Sequence, residues 1–434
     1  MKIAIIGTGI SGLAAARALY QKHDITVYEK ANYVGGHGRT LEVATPQNTV
    51  AVDTGFIVFN PRNYPRLTTL FKQLDVPVSR SAMSFGVSID NGWLEYGTPA
   101  LANLFAQKRN IFRTRYYGML RDILYFQRHA CAFVQANPQA VMEECLAGLG
   151  MGDWFKRYYL LAMGGAIWST PPARMLRFPA RTMVRFFENH GLLALRDRPK
   201  WHTVRGGSRE YIARLSAPFR DSIRVNCGVC KVQRLASGVF VTDRHGGYER
   251  YDHAVLACHS DQALRLIEAP TPAEQSVLEN ICYQRNRALL HSDTRFMPRK
   301  KQAWASWVYL CQRREDREPA VSLSYWMNNL QPLGTDYPLF VTLNPAFEPD
   351  PALVHDEHVF EHPLFDQNAI AAQERLDEIQ GQDRLWFCGA WQGYGFHEDG
   401  LNSAIAMADK FTATSENAFR DASANAVEAA ATTL

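Results

Sequence analysis

The chain has 434 residues, 47% of them hydrophobic, with 47 Lys and Arg against 43 Asp and Glu for a net charge of +4. That length exceeds one ordinary domain and the apolar share fills a large core. So small a charge excess does not argue for a partner recruited by global charge, nucleic acid foremost, and the longest apolar run, 158–168, is too short to span a bilayer. The eight cysteines follow no disulfide-framework pattern, and no leader-like segment precedes the first strand, so they are expected to be reduced thiols in a cytoplasm.

Lys2 to Ile6 reads as a short buried strand, Leu13 to Tyr20 as an Ala- and Leu-rich helix, and Ile25 to Tyr28 as a second strand ending at Glu29. Gly7-Thr8-Gly9-Ile10-Ser11-Gly12 lies between the first strand and the helix. Gly7 allows the tight turn, Gly9 lets backbone approach a pyrophosphate, and Gly12 brings the helix close to the sheet. The helix start, at Ile10 and Ser11, offers unpaired N–H groups to phosphate. Glu29, twenty residues after Gly9, sits where an acid accepts from ribose hydroxyls, with Lys30 beside it. Strand, turn, helix, strand and acid in register point to a dinucleotide site.

After Glu29 come Val34-Gly35-Gly36-His37-Gly38-Arg39-Thr40 and then Val52-Asp53-Thr54-Gly55. This succession resembles the FAD-containing amine oxidase and phytoene desaturase superfamily. The resemblance implies an FAD cofactor, a Gly-Gly loop with a basic residue over the pyrophosphate, and Gly55 near the flavin. Arg39 suits the phosphate because its fork binds oxygens in pairs. Many members have Arg directly after the Gly pair, where this chain has His37, so the phosphate contact is left open between His37 and Arg39.

Residues 60–76 read as a helix with Leu67, Leu70, Phe71 and Leu74 on one face. Ser84 to Ile89 and Trp93 to Tyr96 read as strands joined by a hairpin turn at Asp90-Asn91-Gly92. From Lys108 to Arg128, six cations (Lys108, Arg109, Arg113, Arg115, Arg121, Arg128) face one acid, Asp122, with Phe112, Tyr116, Tyr117, Tyr125 and Phe126 interleaved. This is a helix lying on an anionic membrane surface, a nucleic-acid contact, which nothing else in the sequence supports, or a solvated basic face over an aromatic core. A second basic run, Arg174, Arg177, Arg181 and Arg185, is broken by Pro179, and Trp168 to Pro172 reads as a helix end and rigid turn.

The stretch 201–208, with Gly206-Gly207, returns the chain to the cofactor domain, followed by a helix at Tyr211 to Leu215. Strands are expected at Ile223 to Cys227, Cys230 to Leu235, Val239 to Thr242 and Ala254 to Cys258. By resemblance, Val229 lies near the adenine. Cys227 and Cys230 form a CxxC across strand-like residues with no partner CxxC, which reads as two incidental thiols and no metal.

Further strands are expected at Ala288 to His291, Ala303 to Leu310, Val321 to Trp326 and Leu339 to Leu343. Trp304, Trp307, Tyr325 and Trp326 are candidates to line an apolar substrate cavity, or ordinary core aromatics. Residues 385–404 read as strand, glycine-rich loop and a helix beginning near Gly400. They resemble the C-terminal flavin motif of the same superfamily. Backbone N–H groups at Gly400 and Leu401 would stabilise negative charge on the reduced flavin, and Gly389 would admit the ribityl chain. The substrate-side aromatic of monoamine oxidases falls at His397 here, which lowers amine oxidation as the reaction. His397 is the first candidate for proton transfer, since a histidine titrates near neutrality; Glu398 and Tyr394 follow.

The expected architecture is α/β: a discontinuous Rossmann-like FAD-binding domain of the amine oxidase type (1–76, 200–260, 375–411) interleaved with a substrate domain of mixed sheet and helices (77–199, 261–374). A disordered tail or frayed helix is expected over 412–434. The Gly395-to-Leu401 run and Tyr325-Trp326-Met327-Asn328 resemble bacterial amine-oxidase-like flavoproteins described as predicted NAD/FAD-binding proteins, associated with cyclopropane fatty-acid synthases. This implies an FAD-dependent oxidoreductase taking hydride from a substrate C–H bond to flavin N5, a lipid or acyl-chain substrate, a cyclopropane fatty-acid synthase-type partner, and a cytoplasmic place with peripheral contact at the inner membrane face through 108–128. The alternatives are a flavin amine oxidase, a carotenoid-type desaturase or isomerase, and a non-enzymatic lipid binder related to GDP-dissociation inhibitors.

Overall fold

The structure, a computed structural model, describes residues 1–98, 100–168, 175–189, 199–312 and 320–431. The expected turn at 169–172 and Arg174 lie outside them. The chain divides into two compact units: Met1–Gly36, Ile212–Ile281 and Ala371–Leu434 form the first, His37–Tyr211 and Cys282–Ile370 the second.

The first unit is built on a parallel five-stranded sheet in the order Leu385–Phe387, His253–Leu256, β1 (Lys2–Ile6), β2 (Asp24–Tyr28), Ile223–Arg224. Its central strands are apolar on both faces, as a parallel sheet covered on both sides requires; Ile3, Ala4, Ile5, Val27, Val255 and Leu256 are fully buried. Helix α1 (Ile10–Leu19) follows β1 and packs against the helix His397–Ala431. A separate antiparallel meander joins Val229–Leu235, Gly238–Asp243 and Tyr248–Tyr251, the last strand being too short and polar to stand out in the sequence.

The second unit holds a seven-stranded mixed sheet in the order Val354–Pro363, Tyr283–His291, Phe340–Leu343, Ala320–Trp326, Trp307–Gln312, Phe85–Ile89, Leu94–Gly97. The hairpin turn has positive φ at Asp90, Asn91 and Gly92, as expected of a tight reversal. Its helical part includes a 3-10 turn, Lys108–Phe112, then the long helix Thr114–Ala136, with Ala180–Asn189 packed beside it.

The two units divide the chain at places other than those expected from the sequence. Residues 37–76 and 200–211 belong to the second unit. Val43, Val50 and Val52 of the Thr40–Ala44/Thr49–Asp53 hairpin share a core with Leu290, Met327, Leu330 and Val341, and His202–Val204 pairs with Val78–Arg80. Residues 261–281 belong to the first unit, because Glu268 N–H donates to the Val232 carbonyl and Arg234 pairs with Glu274. The expected tail is helical backbone to Ala431, as its alanine-rich sequence favours.

Candidate functional site

The first unit carries a cradle whose three glycines have three different environments. A β-carbon at Gly7 (φ +111°) would meet the Ala257 carbonyl oxygen at 2.7 Å, and one at Gly12 would meet the Gly7 carbonyl oxygen at 1.9 Å. A β-carbon at Gly9 would meet nothing within 4 Å. Gly7 and Gly12 are therefore demanded by the turn and by helix–sheet packing, and Gly9 borders open space. Gly36 (φ +57°) closes the other side, where a β-carbon would lie 3.0 Å from the Gly9 Cα. Helix α1 starts at Ile10, Ser11 and Gly12 with no side-chain cap, so its first N–H groups and dipole are directed to whatever sits by Gly9.

Glu29 is buried at the end of β2. Its Oε2 accepts from Thr8 N (3.1 Å) and Thr8 Oγ1 (2.5 Å), and its Oε1 from Ala31 N (2.8 Å). A carboxylate accepts about four hydrogen bonds, so capacity is left for a ribose hydroxyl. Thr8 Oγ1 also accepts from Gly35 N (3.2 Å), locking the Gly35-Gly36 loop to the first turn. Lys30 follows Glu29 at this edge, and a β-carbon added at Gly228, next to Val229, would lie 3.0 Å from the Lys30 Cβ.

The second element of the site is the loop 389–396 and the helix after it. That helix begins at His397, one turn-length earlier than the expected start at Gly400. Asp399 is the reason: its carboxylate accepts from Phe396 N at 2.9 Å and from the Tyr394 backbone, capping the helix from its third residue. Burial outweighs these donors and pushes the Asp399 carboxyl up to about 6. Gln373 holds the loop by donating to the carbonyls of Trp391 (2.8 Å) and Gly393 (2.7 Å). Gly400 packs on the first turn of α1, with 2.8 Å between its β-carbon position and both Ile10 Cγ2 and Ser11 Oγ. The two helix starts therefore adjoin, and Leu401 is buried behind them. Asn402 Oδ1 is buried without a hydrogen-bond partner, an acceptor awaiting a donor. Gly389 has a structural cause of its own, since the Trp391 indole occupies the position of its side chain.

His397 and Glu398 are buried in the first helical turn, and Tyr394 is half-buried in the loop. Desolvation holds His397 down to about 3, so the imidazole is neutral at neutral pH and does not titrate there as expected. It can donate or accept one hydrogen bond but resists protonation.

His37, Arg39, Thr40 and Gly55 belong to the second unit. Gly55 is fixed against His37, whose carbonyl oxygen lies 2.1 Å from the glycine's β-carbon position and accepts from Phe56 N at 2.8 Å. The His37 ring stands 5.0 Å from Phe360 and 5.4 Å from His362. The Arg39 fork binds both oxygens of Asp356, at 2.7 and 3.1 Å. Thr40 Oγ1 donates to Asp53 at 2.6 Å and accepts from Arg209 N at 3.0 Å. The guanidinium offered for the phosphate and the Thr40 hydroxyl thus have protein partners. Asp53 is fully buried and also accepts from Ser208 N (2.8 Å) and Gln331 Nε2 (2.9 Å).

The four candidate cavity aromatics do not share one surface. Trp307 and Tyr325 pair at 5.2 Å over the core of Val43, Leu290 and Val341, whereas Trp304 and Trp326 meet over Phe296, Met297 and Phe340. Neighbours in a strand face opposite sides, which separates Tyr325 from Trp326. Cys227 is buried with its Sγ 3.4 Å from Asp243, Cys230 is exposed, and no metal-binding cluster occurs among the described residues.

Sequence reasoning missed Thr8 as the donor to Glu29, Asp399 as the helix cap and Asp356 as the partner of Arg39. The spacing of Phe396 and Asp399 was a readable capping signal; the pair 317 residues apart had none.

The family model described as flavin containing amine oxidoreductase matches residues 10–362. A 4,4'-diapophytoene desaturase of Staphylococcus aureus strain Newman is 54% identical over 43 residues, 10% of this chain and 9% of that protein. This chain therefore spans only a small part of that relative in alignment. Among solved structures, a fatty acid isomerase from P. acnes, described as producing CLA, superposes with a TM-score of 0.66 at 14% identity, covering 94% of this chain and 98% of that one. A putrescine oxidase bound to putrescine gives 0.64 at 15%, covering 95% and 99%. A reduced UDP-galactopyranose mutase gives 0.64 at 14%, covering 95% and 96%. These likenesses establish the fold.

Proposed function

For this chain, which belongs to the flavin-containing amine oxidoreductases and is an FAD-dependent oxidoreductase, we propose that the substrate is an uncharged hydrocarbon segment, a lipid acyl chain, oxidised at a C–H bond. The observation that carries this is the environment of His397. Burial holds its imidazolium down to about 3. A position that refuses a proton on imidazole penalises an ammonium group in the same way, because removal from water disfavours any cation that gains no partner. An acyl chain bears no such cost.

The turn 7–12, the start of α1, Glu29 and Gly36 would hold FAD, and the open space at Gly9 fits its pyrophosphate. When bound, FAD supplies the acceptor for two electrons from the substrate. The protein's own residues supply placement and field. The uncapped start of α1 would stabilise negative charge on the bound cofactor, as would the N–H groups opening the helix at His397. Asp399 fixes the register of residues 394–397, and so the place of His397 and Tyr394. Neutral His397 puts no charge beside the reacting carbon.

The test is an anaerobic titration of the FAD-loaded protein, read as loss of the flavin absorption bands. Bleaching by dispersed phospholipid or fatty acid at neutral pH is expected. Bleaching by alkylamines or polyamines alone would overturn the acyl-chain reading and make the enzyme an amine oxidase.

A further inference from the structure

The second unit exposes a surface that the cofactor chemistry does not use. Phe112 ends the 3-10 turn Lys108–Phe112 and is 86% exposed, beside Ile111 at 47%. Three more large apolar side chains, Tyr117 (46%), Leu124 (43%) and Tyr125 (45%), stand on the following helix, Thr114–Ala136. No other segment of the described chain gathers five such residues within fifteen positions.

Their spacing makes them one stripe. Tyr117, Arg121, Leu124, Tyr125 and Arg128 fall at i, i+4, i+7, i+8 and i+11, a single helix face. The opposite face, Tyr116, Met119, Phe126, Ala130 and Val134, is buried. A surface helix with one buried apolar face normally shows water a polar one. Here the outward face alternates apolar side chains with arginines.

The charge is one-sided. Between 108 and 136 the single acid is Asp122. It is buried, and its oxygens are taken by Arg121 (3.0 Å) and by Gly152 N (3.0 Å). Lys108, Arg115 and Arg128 have no ion-pair partner among the described residues. The adjacent helix Ala180–Asn189 adds exposed Arg181 and Arg185, while its acid, Glu188, turns toward Cys131.

We propose that this face, Ile111-Phe112 with the 117–128 stripe, seats the enzyme on an anionic phospholipid surface. Phe112, Ile111 and Leu124 would enter the headgroup–acyl boundary, the tyrosines would lie at headgroup level, and the arginines would meet lipid phosphate. No described helix is long and apolar enough to cross a membrane, so the contact lies in the surface plane. A second copy of the chain is a poor occupant, because a two-fold contact would set this cationic stripe against itself. The proposal does not depend on which substrate the flavin site takes.

The experiment is sedimentation of the FAD-loaded protein with vesicles of phosphatidylcholine containing about one quarter phosphatidylglycerol, and with vesicles of phosphatidylcholine alone. Binding to the anionic vesicles is expected, with loss of at least about tenfold in affinity when salt rises from about 50 mM to about 500 mM. Two independent exposed-site variants, Ile111→Asp/Phe112→Asp and Arg121→Glu/Arg128→Glu, should each weaken binding by about tenfold or more. Lys72→Glu, an exposed charge reversal elsewhere, should not. Flavin absorbance and melting temperature confirm that each variant is folded. The proposal is overturned if the anionic vesicles leave the protein in solution, or if both variants bind as the parent does. It is equally overturned if single-stranded RNA binds with salt dependence while vesicles do not, or if light scattering shows a dimer that Phe112→Asp dissociates.

Discussion

A methyl group added at Gly12 would lie 1.9 Å from the Gly7 carbonyl oxygen, whereas one added three residues earlier at Gly9 would touch nothing. The two glycines of one turn are thus kept for different reasons, and two substitutions separate them. Gly9→Val enters empty space at a φ of −61°, which any residue adopts. The FAD-free protein should melt within about 1 °C of the parent, and FAD affinity should fall about a hundredfold or more as the side chain fills the phosphate position. Gly12→Ala should destabilise by on the order of 3 kcal/mol with or without FAD, because backbone must move. Calorimetry of both variants, with and without FAD, decides it; equal destabilisation by Gly9→Val would remove the cofactor reading of that space.

Arg39 carries a choice that melting of the FAD-free protein can resolve. Its fork is bound to Asp356 with both side chains largely shielded from water. Removing one partner leaves the other uncompensated, so Arg39→Ala should cost about 1–2 kcal/mol in the cofactor-free state. Asp356→Ala should cost a similar amount, and the double variant less than the sum. If Arg39→Ala instead leaves FAD-free stability unchanged and weakens FAD alone, the guanidinium serves the pyrophosphate and the ion pair is incidental.

The mononucleotide turn was legible because every step there is local: apolar run, glycine spacing, alanine-rich helix, acid at the second strand's end. The strand Val354–Pro363 was not. Its sequence, VHDEHVFEHP, is an edge strand with charges along it, a pattern that protects an exposed edge and hides the strand from hydrophobic periodicity. Missing that strand meant missing Asp356, and so the pair that engages Arg39. The start of the C-terminal helix was misplaced for a different reason. Gly400 was read as the first helical residue from resemblance, while the physical determinant was Asp399, whose carboxylate reaches back to Phe396 N. The aromatic grouping failed on strand parity: Tyr325 and Trp326 are adjacent and therefore on opposite faces.

Asp53 should make the FAD-free protein less stable as pH rises. Burial pushes its carboxyl up to about 7 against three donors, from an ordinary value of 3.8. The folded state then holds a proton through a range where the unfolded state has lost it. This contribution is full below about pH 4 and is lost as pH rises through 7, on the order of 4 kcal/mol in all. Asp53→Asn keeps the size and cannot ionise. Urea unfolding at a series of pH values should show the parent losing stability relative to this variant between about pH 4 and pH 8. A constant difference across that range would mean Asp53 is ionised throughout.

His397 acts in the opposite direction. Its folded value, about 3, lies below the ordinary 6.5, so the unfolded chain binds a proton that the folded chain refuses. The contribution is complete above about pH 6.5 and drains away as pH falls toward 3. Over pH 4–6 it opposes the Asp53 effect, and the two partly cancel in the parent protein. His397→Gln, which keeps a hydrogen-bonding side chain without the titration, should therefore gain relative stability as pH is lowered. The same variant tests the catalytic role. It should retain the flavin absorbance, while anaerobic bleaching by the acyl-chain substrate slows by about tenfold or more. In the parent, the bleaching rate should show no inflection near pH 6.5 that belongs to the imidazole, because a ring held neutral does not change charge there. An inflection at that pH, abolished by His397→Gln, would show instead that the ring is exposed to water or paired with a carboxylate in the working enzyme. The penalty on cations from which the acyl-chain reading follows would then be gone.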